Sequence, residues 1–137
     1  MTTSAIETVM HRGQPLRLDR LLGPGTRTVT VATSRDPNAK VTVLLFRAGA
    51  TAPTLVVKIP TTIGAAIAVD AEAATLMRLP SRLDPALLES VPRVVDRLPT
   101  SCGDALVTTA VPGAPMTIGY HRWLHVSRRV AVARDFD

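Results

Sequence analysis

The chain has 137 residues, of which 46% are apolar and only 3% aromatic. That sets one domain, able to bury roughly two thirds of its unfolded surface, around a core of Val, Leu, Ile and Ala rather than rings. The formal net charge is +5, yet the 14 Arg and 2 Lys are scattered from Arg12 to Arg134 with one short cluster, Arg128-Arg129, a spread that argues against a nucleic-acid groove. The excess of Arg over Lys is of the kind that genome base composition produces.

Residues 1–14 carry Glu7 and Arg12 without an apolar h-region. No run approaches the roughly eighteen apolar residues that span a membrane. The single cysteine, Cys102, has no internal disulfide partner, and a cytoplasmic location is the expectation.

Leu16 to Leu22 reads as a short mixed segment, closed by the turn punctuation Gly23-Pro24-Gly25. Thr26 to Thr33 alternates Thr and Val and predicts a strand, followed by the polar connection Ser34 to Asn38. Val41 to Arg47 predicts a second strand, hairpin-paired with the first. After a turn over Ala48 to Pro53, Thr54 to Ile59 predicts a third. Residues 64–79 predict a helix that stops at Pro80, because the residue before proline avoids the helical region. Asp84 to Ser90 predicts a short helical turn and Val91 to Val95 a fourth short strand or extended segment. Leu98 to Asp104 is expected as a polar turn and Ala105 to Val111 as a fifth strand, ended by Pro112-Gly113. Tyr120 to Phe136 predicts an amphipathic helix with Trp123, Val126, Val130 and Ala133 on one stripe. The expected fold is therefore α+β, a five-stranded antiparallel sheet with one main helix and a C-terminal amphipathic helix. It divides into an N-terminal extension over 1–25, a lobe over 26–116 and a segment over 117–137 expected as the start of a missing further lobe or as a partner-binding helix.

Within the apolar run Thr54 to Pro60, Lys58 is a lone ammonium in a strand pattern, and such a group needs a partner. Glu72, fourteen positions on in the predicted helix, is the candidate. An opposite charge about 4 to 6 Å away favours the ionised form of each. The competing reading is an edge-strand lysine whose stem lies on the sheet while its head reaches water.

A strand lysine held by a helix glutamate, then Val91-Pro-Arg-Val-Val95, then Leu106 to Met116 with its apolar strand and Pro-Gly-Ala-Pro ending, resembles the N-terminal lobe of the kinase-like fold. The resemblance covers about Thr26 to Met116, and the aminoglycoside phosphotransferase-like small-molecule kinases are the branch it resembles most. It implies ATP as the cofactor, with Lys58 on the α- and β-phosphates and Glu72 aiming it. It further implies that the backbone of Val107, Thr108, Thr109, Ala110 and Val111 meets the adenine edge, with Val57 or a neighbouring aliphatic side chain against the ring.

Ser34 to Lys40, where protein kinases carry a Gly-rich loop, contains no glycine, which disfavours protein-kinase activity. Thr109 and Ala110 stand where many of these small-molecule kinases have an acidic residue. The sequence also contains no His-x-Asp with a following Asn and no later metal-binding Asp. No catalytic or metal-ligating residue is therefore assigned, Mg²⁺ is expected only with a C-lobe, and the chain alone is expected to be inactive.

The alternative is a non-catalytic basic binding or regulatory module that docks a partner protein, or a separate C-lobe chain, through Tyr120 to Phe136. His121 and His125, four apart, read as surface histidines because no third ligand accompanies them. Cys102 reads as a plain thiol, and Arg128-Arg129 as a solvated helix face.

Overall fold

The computed structural model describes residues 10–11, 14–33 and 38–112. The C-terminal amphipathic helix predicted over 120–136 lies outside the described residues, as do His121, His125 and Arg128-Arg129. Among the described residues no helix is long and apolar enough to cross a membrane.

The alternating segments form strands close to where the pattern puts them. After a two-residue ladder of β1 (Met10–His11) with β2 (Gln14–Pro15), the short helix α1 (Asp19–Leu22) leads into β3 (Arg27–Thr33), β4 (Lys40–Phe46) and β5 (Leu55–Pro60). Two further strands, β6 (Val94–Thr100) and β7 (Gly103–Thr109), complete an antiparallel sheet of order β3-β4-β5-β7-β6. The chain is thus α+β, with five antiparallel strands and one main helix.

Period-two alternation assigns each face of the sheet its own core. On one face Leu55, Val57 and Ile59 of β5 are buried with Val43, Leu45, Ala105, Val107 and Leu18, and Leu16, Leu21 and Leu22 pack against them. The extension expected over 1–25 is therefore built into this core along residues 16–22. Beside it the Arg17 guanidinium donates to both oxygens of Asp19 at 3.2 Å and holds that carboxyl below its ordinary range. On the other face lies α2 (Ile63–Arg78), with Val69 and Ala73 against Leu106, and Leu76 and Val94 closing the cluster.

α2 starts because Thr62 caps it, accepting the amide of Ala65 at 3.0 Å. Removing that acceptor with Thr62→Ala is expected to lower stability by about 1 kcal/mol, read as a shift in the urea midpoint. The α-helix stops at Arg78, two residues before Pro80. A 3-10 turn over Leu79–Ser81 follows, then a second over Pro85–Ser90, which Asp84 caps through the amide of Ala86 at 2.9 Å.

The last two strands differ from the sequence reading. The expected fourth strand at Val91 to Val95 begins three residues later, and Leu98 to Asp104, expected as a turn, is mostly hairpin. Only Ser101 and Cys102 join β6 to β7. β6 is an edge strand, which tolerates Pro99 and a largely exposed polar face, so its composition imitates a loop. A bulge between Val94 and Asp96 turns Val95 outward. Gly103, at φ +135°, closes the tight reversal.

Candidate functional site: a sheet lysine paired with a helix glutamate

Lys58 lies on β5, between β4 and β7, paired across the sheet with Thr42 on one side and Leu106 on the other. The edge-strand reading is thereby overturned, since a neighbour is present on each side. Its Nζ donates to Oε1 of Glu72 on α2. The two side chains are 26% and 30% exposed, so the pair is half-buried and another group can still approach the ammonium from solvent. Removing one partner would leave the other charge half-desolvated.

The parity of the strand sorts the remaining candidates. Val57 is fully buried and points, with Val107, into the core on the face away from α2. Val56 shares the face of Lys58 and stands opposite Thr108. The aliphatic side chain that could meet a ring beside Lys58 is accordingly Val56 and not Val57. Thr108 is buried, while Val111 is exposed.

β7 is flanked by β5 and β6, so the backbone of Val107 and Thr108 is spent on the sheet ladder. The amide of Thr109 donates to the carbonyl of Arg93 at 2.9 Å and that of Ala110 to the carbonyl of Thr54 at 3.0 Å. Val111 follows past the end of this ladder. Here the strand borders a cleft of about 310 Å³, with Leu88, Val91 and Arg93 facing Thr109, Ala110 and Val111. Lys58 and Glu72 do not line it. The four steps along the chain from Leu106, opposite Lys58, to Ala110, just past β7, span about 13 Å.

Another ion pair on α2 was not read from the sequence. Arg97 of β6 donates through Nη2 to Oδ1 of Asp70 on α2, and also to the carbonyl of Asp104 at 3.1 Å. The available signal was that Asp70 and Glu72 flank the small buried positions of α2; Arg97 itself was hidden in an apparent turn. The Cys102 thiol donates to the carbonyl of Thr61 at 3.4 Å, beside the start of α2. Among the described residues no group of three His, Cys, Asp or Glu side chains converges to hold a metal ion.

No family model matches the chain, and no curated protein or solved structure matches it.

Proposed function

We propose that the chain is the ATP-binding lobe of a small-molecule phosphotransferase resembling the aminoglycoside phosphotransferase group, which moves the γ-phosphoryl of ATP to a hydroxyl once a catalytic half completes it. The observation that supports this reading is the Lys58–Glu72 pair, formed between an interior strand and the helix that covers the sheet. An ammonium so held is a fixed, partly desolvated donor, and phosphate oxygens are its natural acceptors.

In this reading Lys58 binds the α- and β-phosphates and Glu72 orients it. Val56 offers an aliphatic surface to the base, and the chain from Ala110 to Val111 supplies backbone groups to the adenine edge. The described residues bring together no acidic cluster that fits Mg²⁺, so no metal and no step of phosphoryl transfer is assigned to them. In this reading turnover requires the catalytic half.

Calorimetric titration of the full chain with ATP, ADP and adenosine tests the reading. ATP and ADP are expected to bind alike, and adenosine about 10- to 150-fold more weakly, because a charge-assisted phosphate contact contributes about 1.5 to 3 kcal/mol. Equal affinity for adenosine and ATP, or no binding of ATP, overturns it in favour of a non-catalytic binding module.

A further inference from the structure

α2 meets the sheet mainly through small side chains: its buried residues are Ala65, Ala66, Val69 and Ala73, with the larger Leu76 half-buried beside them. So shallow a ridge interlocks little with the sheet, and apolar packing alone restrains rotation about the helix axis weakly. At 3.6 residues per turn, Asp70 and Glu72 project about 80° to either side of that ridge. Glu72 meets Lys58 of β5, and Asp70 meets Arg97 of β6. The flanks of one helix are thus held by two strands that β7 separates.

The Arg97 end of this arrangement has a second tie. Its guanidinium also donates to the Asp104 carbonyl across the β6–β7 hairpin at 3.1 Å, its side chain is as exposed as that of Lys58, and its Nε is buried without a hydrogen-bond partner. In the same hairpin Gly103 lies directly against Ala66 of α2. Rotation of α2 that withdraws Glu72 from Lys58 therefore also displaces Asp70 from the guanidinium that the hairpin holds.

We propose that Arg97 is a positioning residue for the Lys58–Glu72 pair: anchored in the β6–β7 hairpin, it holds Asp70 and so sets the rotation of α2 that aims Glu72 at Lys58. The consequence for nucleotide binding rests on the ATP-binding reading above; the geometric claim is measurable without nucleotide.

The chain contains two lysines, Lys40 and Lys58, so Lys40 serves as an internal reference for amine acylation. In the full chain treated with an acetylating ester and read by mass spectrometry, Glu72→Gln is expected to raise the Lys58-to-Lys40 labelling ratio about threefold, in keeping with a partly exposed ion pair. Arg97→Met is expected to raise it comparably while far-UV circular dichroism is unchanged, with Arg97→Lys returning it towards wild type. In a Glu72→Gln background Arg97→Met is expected to add nothing, whereas a merely structural role would raise the labelling again.

Should Arg97→Met fail to fold, Asp70→Asn, at an aspartate that is 62% exposed, removes the same charge pairing from the helix side and decides the question. A wild-type ratio in the folded variant, an additive effect in the double variant, or no response to Glu72→Gln overturns the proposal. Titration of ATP into the same proteins keeps the two readings apart. Failure of wild type to bind ATP sinks the nucleotide reading alone, and the labelling still decides the role of Arg97.

Discussion

Replacing Lys58 with methionine is expected to weaken ATP binding roughly 10- to 150-fold, the equivalent of one charge-assisted contact of about 1.5 to 3 kcal/mol. Methionine keeps most of the apolar stem between Thr42 and Leu106 and removes only the ammonium. The Glu72 carboxylate that remains is 30% exposed and would repel the incoming phosphates, which adds to the loss. Glu72→Gln is expected to do less, since it disturbs the aim of the ligand and leaves the ligand itself in place.

Stability should respond differently. Both members of the pair keep about a quarter to a third of their side-chain surface in solvent, so screening reduces their coupling, and Lys58→Met is expected to change unfolding free energy by about 1 kcal/mol or less. A large fall in affinity with an almost unchanged melting temperature therefore marks a binding residue. Calorimetry and thermal melts on the same samples check it, and wild-type affinity in Lys58→Met would remove the basis for the nucleotide reading.

Gly103→Ala is expected to produce the largest loss of stability, about 2 to 6 kcal/mol, combining backbone strain with overpacking. Its φ of +135° is one that side-chain-bearing residues rarely adopt, and an added Cβ would stand 2.6 Å from the Cβ of Ala66. Neither atom belongs to a flexible side chain that can swing aside. Set against a total stability of about 5 to 15 kcal/mol for an ordinary domain, this change leaves the fold marginal.

Adding Ala66→Gly opens the space and should recover the steric part only, leaving the strain at position 103 and adding the helix cost of glycine, about 1 kcal/mol. Urea unfolding of the single and double variants separates the two contributions. An unchanged midpoint in Gly103→Ala would mean that the hairpin and helix part there without cost. That result would also undermine the seating of Arg97, because the same hairpin carries it.

The strands β3, β4 and β5 were legible because each alternates or runs apolar between clear turn residues; β4 and β5 each bury one face, whereas Val29 and Val31 of the edge strand β3 stay about half exposed. α2 was legible from its helix-forming composition and from Pro80. The β6–β7 hairpin was misplaced because Asp96, Arg97, Pro99 and Thr100 read as loop, whereas an edge strand needs few apolar side chains to be stable. Lys58 and Glu72 were found because a lone ammonium in an apolar run demands a partner within the reach of the next element. Asp70 and Arg97 were not, since 27 positions separate them and Arg97 lies in a segment whose composition reads as a turn. Of Val57 and its aliphatic neighbours, strand parity puts Val56 on the face of Lys58.

By itself the sequence determined the α+β class, three strands with the helix that follows them, and the lysine and glutamate at their junction. These follow from local periodicity and from the cost of an unpaired charge, both of which act over a few residues or one crossover. Only the tertiary structure decided that β7 inserts between β5 and β6, and that Leu18 of the N-terminal segment closes one core. It alone placed Arg97 at Asp70 and set Gly103 against Ala66. Those outcomes depend on which distant surfaces fit one another once the sheet has formed, and contacts of that kind leave no periodic trace along the chain.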